Sequence, residues 1–408
     1  LNHNSSSTNY PDGMIIKYKP VEVPEVITKQ AKVIGGSSYD YIQSVSETSD
    51  GGIIAGGYFR SESIDLGNGV TLTSNGKEDG MIIKYDANGI IEWAKAIGGL
   101  DYEEIYSVAE TSDGGIIAGG HFSSSSIDLG NGVTLTNNAY DDGMIIKYNE
   151  KGEAQWAKGI GGSNNDYINS VASTSDGGII AGGYFRSSSI ELGNGVTLNH
   201  NSSSTNYPDG MIIKYDVNGN VQWAKGIGES EEDQITSVAE TSDGGYIIGG
   251  YFRSVSIDLE NGVALTNNGN ADGMIIKYNE KGEVQWAKII GGSSGEYINS
   301  VAETEDGGYI AGGYFESSSI ELGNGVTLNK NSSYDGMIIK YDANGNAEWA
   351  KGIGGSGNDS IKSLAETSDG GYIAGGYFES ESIDLGNGVT LTNNGYDDGM
   401  LIKINEEM

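Results

Sequence analysis

The chain has 408 residues, a formal net charge of −34 and no cysteine. The lack of thiols excludes disulfide frameworks, thiolate zinc sites and cysteine nucleophiles. The acidity disfavours nucleic acid and anionic membranes as partners and favours cations.

Residues 1–18, LNHNSSSTNYPDGMIIKY, are identical to residues 198–215. They read as one part of a repeat standing alone. Residues 19–26, KPVEVPEV, carry two prolines and no glycine, the mark of a stiff connector. Residues 1–26 are therefore expected to be a spare partial repeat with its connector. The chain opens in mid-repeat at Leu1, which predicts a fragment or mature form of a longer protein. No signal-peptide pattern opens it, and no apolar run reaches about 18 residues, so membrane insertion is not expected.

From Ser37 onward a repeat runs without interruption. The aspartate of its DGG turn falls at Asp50, Asp113, Asp176, Asp243, Asp306 and Asp369. A fixed period implies one body built from repeated units, not several unrelated domains. Each unit predicts four strands. In the fifth they are Ser300–Thr304, Tyr309–Phe315, Gly336–Asp342 and Asn346–Ile353. Asp-Gly and Asn-Gly turns join the first pair and the last pair, as in tight hairpins. A polar excursion over 316–335 carries its own hairpin about Gly323–Gly325. Side chains grow from Ala, Gly, Ser and Val in the first two strands to Trp in the fourth. That gradient matches a propeller blade read from axis to rim.

Counting strands predicts closure. Six copies of the first three strands follow Ser37, but only five of the fourth, marked by Trp93, Trp156, Trp223, Trp286 and Trp349. The segment Ile27–Ile34 matches the missing one, with Gln30 in place of Trp. The expected fold is all-β: a six-bladed β-propeller over 27–408, with four-stranded blades and closed by this N-terminal strand. A third-strand copy at Asp12–Tyr18 is left over. Unpaired strands are adhesive, so residues 1–20 are a candidate for self-association.

The run DGMIIKYDxNGNxxWAKxIGG…SVAETSDGGYIAGGYF resembles the bacterial β-propeller repeat called SBBP. The resemblance covers nearly the whole array, departing at Gln30, at Ser173 and in an insertion near Asn201–Pro208. It implies a secreted or cell-surface bacterial protein and carries over no catalytic residue.

One carboxylate stands just before each first strand: Asp40, Glu103, Asp166, Asp233, Glu296 and Asp359. In a propeller these would open toward the axis, as a ring able to hold calcium or another hard cation. The alternative is that each caps its own loop. The DxNG turns at Asp86, Asp216 and Asp342 echo a calcium loop but lack its distal Glu, so a hairpin turn is expected. The repeated lysines, such as Lys147 and Lys340, are expected to pair with acids. The Trp set and the Tyr-Phe pairs, such as Tyr251–Phe252, read as packing, with glycan stacking as the second reading. Arg60, Arg186 and Arg253 follow that pair where Ser123, Glu316 and Glu379 stand in other blades. They are a candidate anion site or a solvated surface. Only His3, His121 and His200 are present, and no catalytic motif occurs.

The expected role is a non-catalytic, extracellular or cell-surface module for display, adhesion or weak multivalent binding of a glycan or surface protein. No cofactor is required by that role. The alternatives are a structural spacer propeller and a polysaccharide-active enzyme on the same scaffold.

Overall fold

The computed structural model describes residues 32–405 apart from 202–204, 368, 369 and 394. The compact unit Ile34–Met408 is an all-β propeller of six blades. In the first, the inner strand is Asp40–Glu47, the second Ile53–Phe59, the third Asp79–Tyr85 and the outer Ile91–Ile97, paired in that order. All pairs are antiparallel. The next four blades repeat this order. Within the described residues the sixth is a three-stranded sheet, Asp359–Glu366, Tyr372–Phe378 and Asp398–Ile404. The closing strand expected at Ile27–Ile34 lies outside the described residues apart from Lys32–Ile34, which are not in a strand. The spare copy at Asp12–Tyr18 lies outside them as well. Between the second and third strands of each blade sits a two-stranded hairpin, such as Ser319–Gly323 with Val326–Asn329. Its tip needs left-handed backbone, which Gly323, Asn324 and Gly325 supply.

The inner strands start earlier than the sequence suggests. Each begins at the carboxylate itself, as in Glu296–Glu303. Each also carries a β-bulge three residues in, at Gln43 in the first blade and Asn299 in the fifth. The bulge explains half of the Gly-Gly pair in the second strand. A Cβ on Gly313 would fall on the Tyr297 carbonyl of the bulged strand. The other glycine serves the neighbouring blade. A Cβ on Gly249 would lie 2.6 Å from Val301 of the next inner strand, and the same holds for Gly56 with Val108 at 2.5 Å.

As the edge of its sheet, the inner strand also has backbone donors for the junction. Val108 N–H donates to Ser44 Oγ of the preceding blade at 3.1 Å. Val171, Val238, Val301 and Leu364 repeat the bond on Ser107, Ser170, Ser237 and Ser300. Five apolar clusters lie between successive blades. In one, Ile54 and Ile82 of the first blade pack on Val108, Ala118, Met144 and Ile146 of the second. The cores therefore sit between sheets, which is why third strands such as Asp335–Tyr341 are buried throughout.

The seam between the sixth and first blades differs. Val45 is 68% exposed, against 5% for Val108. Among the described residues no atom lies within 4 Å of where a Gly375 Cβ would stand. The interlock made at the five internal junctions is thus not made there by the described residues. The sequence repeats both halves of that contact, but their meeting depends on how the sheets are disposed in space.

Gly249→Ala should lower stability by about 1–3 kcal/mol through overpacking against Val301. Adding Val301→Ala should recover part of that loss, since the two sites touch. A double-mutant cycle by urea unfolding reads this coupling, and strict additivity would exclude the interlock.

Candidate functional site

Each of the six predicted carboxylates accepts hydrogen bonds from its own blade. Asp166, which is fully buried, accepts Ser187 Oγ at 2.6 Å and the backbone N–H groups of Gly162, Arg186 and Ser187 at 3.0–3.1 Å. Asp233 is bound by Ser254, Glu229 and Arg253 in the same way. Asp40, Glu103, Glu296 and Asp359 each tie the preceding loop to the end of their own second strand. Burial pushes Asp166 and Asp233 up to about 6, while the Ser and backbone donors pull the other way. The six serve as staples within separate blades, the loop-capping alternative. Among the described residues no three His, Cys, Asp or Glu side chains gather to hold a metal.

Other repeated residues are also absorbed by packing. Trp93 of the first blade covers the turn of the second, where a Cβ on Gly152 would lie 2.7 Å from its ring. Its Nε1 donates to the Glu150 carbonyl at 3.0 Å. Lys147 is buried and donates to Thr111 Oγ1 and Asp113 at 2.8 Å and to the Tyr148 carbonyl at 3.1 Å. Asp86 accepts the backbone N–H groups of Asn88 and Ile90, as a hairpin turn does.

A different constellation lies at the carboxylate end of the blades. Two positions next to the staples put Tyr side chains there. One is the second residue of the inner strand: Tyr41, Tyr167 and Tyr297, alternating with Glu104, Gln234 and Ser360. The other is the Tyr before the buried Phe of the second strand. Because the two positions are directly paired, as Tyr297 with Tyr314, their rings stack at 4.7 Å. Blade packing extends the stack. Tyr251 meets Tyr297 at 4.8 Å, Tyr314 meets Tyr334 at 4.9 Å, and the Tyr334 and Tyr377 hydroxyls lie 2.9 Å apart. A second cluster runs from Tyr106 through His121 and Tyr167 to Tyr184, with centroids 4.7–5.5 Å apart. Tyr41 and Tyr58 form a third.

Charged groups bond the rings of these clusters. Glu232 accepts from the Tyr251 hydroxyl and Gln234 at 2.9 Å and lies 3.4 Å from Arg253. Arg253 in turn donates to the Tyr297 hydroxyl at 3.0 Å. Asp141 accepts from Ser123 and the Tyr167 hydroxyl at 2.5 Å. Glu78 is buried and paired with Arg60, and among the described residues its Oε1 has no partner. Burial, and then the Glu78 carboxylate alongside, push Glu104 up to about 7. Burial holds His121 down at about 4, and its Nδ1 has no partner among the described residues. Lys362, which is exposed, lies 5.4 Å over the Tyr377 ring.

Sequence reasoning found the second-strand Tyr and the three Arg but not the belt they form. A signal was present. The exposed hairpin tip LGNGV is almost constant from blade to blade, whereas residues at the carboxylate end change. In a repeat, positions that vary are those the shared packing does not dictate.

The fold and this belt define a repeat propeller with one aromatic, charged face. No family model matches the chain. It is 24% identical over 272 residues to the regulatory protein FlaEY of Caulobacter vibrioides, covering 63% of this chain. It is 22% identical over 400 residues to an uncharacterized WD repeat-containing protein of Acanthamoeba polyphaga mimivirus, covering 82% of this chain. The match spans 28% of the length of each of these relatives. Similar solved structures include a protein of unknown function from Dyadobacter fermentans, at 11% identity and TM-score 0.45, covering 91% of this chain and 97% of that one. The WD40 domain of Neurospora crassa Pan2 is similar at 9% identity and TM-score 0.40, covering 82% and 86%.

A raised pKa means that the folded state holds the Glu104 proton more tightly than the unfolded chain does. The stability it contributes is fully present below its ordinary value of 4.5 and is lost as pH rises through about 7. The melting temperature should therefore fall between pH 5 and 8 by an amount that Glu104→Gln removes. Melting both proteins across that range checks it; identical slopes would show that Glu104 is already ionised.

Proposed function

We propose that this protein is a non-catalytic binding module for glycans, working outside the cell or at its surface. The observation that carries this reading is the stacked Tyr belt, flanked by carboxylates and arginines, at the end where the blades differ. Aromatic faces pack on the apolar faces of sugar rings, and neighbouring charged groups hydrogen-bond hydroxyls. Several Tyr clusters on one face suit weak, multivalent attachment. The acidic surface favours neutral or cationic saccharides over polyanions.

Two further considerations support a role without catalysis. The six carboxylates at the repeated position are occupied as staples, and Arg60 and Arg253 of the belt are paired with Glu78 and Glu232. A calcium requirement is not part of the proposal, because each staple's oxygens already accept protein donors. The competing reading is a structural spacer, favoured by the uncovered faces of the first and sixth blades.

Tyr297→Ala with Tyr314→Ala should weaken glycan binding about tenfold, the loss of one stacked ring pair. A glycan array and a pull-down on cell-wall material, with wild type and the double variant, measure this. Blank results with wild type would favour the spacer, and equal binding by both proteins would place the site elsewhere.

A further inference from the structure

The five internal junctions share one design. The following inner strand offers two knobs, and the preceding blade offers two glycine pits. In the first junction Val108 faces Gly56 and Ile105 faces Gly80. Both knobs are buried, Ile105 fully and Val108 to within 5%.

The first and sixth blades carry the two halves of one more such junction, and both are bare. The first blade's knobs, Ile42 and Val45, are 38% and 68% exposed. The sixth blade's pits, Gly375 and Gly399, have no atom of the described residues within 4 Å of an added Cβ. Leu401 is 71% exposed where its counterpart Ile82 is fully buried. Ser363, the counterpart of Ser44, is exposed as well. The bulge residue Lys362 stands where Asn169 and Asn299 reach the next blade's Ile235 and Ile361 carbonyls at 2.7–2.8 Å.

We propose that these faces form a head-to-tail interface between copies of this chain, the first blade of one docking on the sixth blade of the next. The occupant is a second copy because the surface that fills such pits at every internal junction is the inner strand that each blade repeats. The interface would continue the internal junctions, with Val45 over Gly375, Ile42 over Gly399, and the Val45 N–H on Ser363. In the first blade Met81 and Ile83 are already buried, but the knobs come from the inner strand, and that strand is bare. The two patches differ, so the contact is heterologous and adds copies in series or in a larger ring.

The test uses the full chain and two variants, Val45→Glu and Gly375→Leu, in size-exclusion chromatography with light scattering. Circular dichroism melts confirm that both variants fold. Wild type should grow in mass with concentration, and each variant alone should stay far closer to the monomer. An equimolar mixture should give a dimer with one copy of each, because each variant keeps the face the other has lost. Wild type that is monomeric at every concentration would overturn the proposal, whether the ends meet within one chain or stay apart. So would assemblies that persist in both variants, which would place association elsewhere, for instance in residues 1–20.

Discussion

A single contact recurs at every formed junction of this protein: a Val or Leu side chain seated over a glycine of the preceding sheet, with its own N–H bound to a Ser of that sheet. The inner strand is the edge of its sheet, so the N–H faces outward to meet that Ser. Its bulge brings the strand so close to the second glycine that no side chain fits there. The bulge therefore accounts for the second glycine of the pair, and the junction for Ser, Val and the first. The apolar clusters between sheets depend on it too, since the sheets must approach this closely to exclude water from Ile82, Met144 and their counterparts.

With the junction satisfied by strand interiors, the carboxylate ends of the blades are left to vary. The staples hold those ends rigid. Asp166 and its counterparts fix the loop before each inner strand to the end of the second strand, and the Tyr positions flank that clamp. The belt is thus built on strand residues backed by buried hydrogen bonds, a firm support for a binding surface. Its alternation tracks the sequence from blade to blade: Tyr41, Tyr167 and Tyr297 lie on odd blades, and polar Glu104, Gln234 and Ser360 on even ones.

Much of the fold was legible because its signals are local. The strand Tyr309–Phe315 stands as expected, and the hairpin about Gly323–Gly325 is set by backbone angles that Gly and Asn adopt readily. The Trp residues were rightly read as packing, and Lys147 does pair with an acid, although it is far more buried than a surface lysine. The staples were the harder case. Six acids at one repeat position look alike whether they gather or stand apart. Only the donors around Asp166 and Asp233 show that each is occupied within its own blade.

By itself the sequence determined the period, the strand order, the turns and the small-to-large gradient across each blade, because these depend on residues near one another in the chain. Tertiary structure alone decided which side chains meet between blades: Trp93 with Glu150, 57 residues on, and Ser44 with Val108, 64 residues on. It also decided that Tyr251 and Tyr297 meet edge to face and that Val45 and Gly375 do not touch. Such contacts are set by the offset and twist of one sheet on another. A repeat that writes the same residues into every blade cannot encode, in any one copy, what stands on the far side of its sheet.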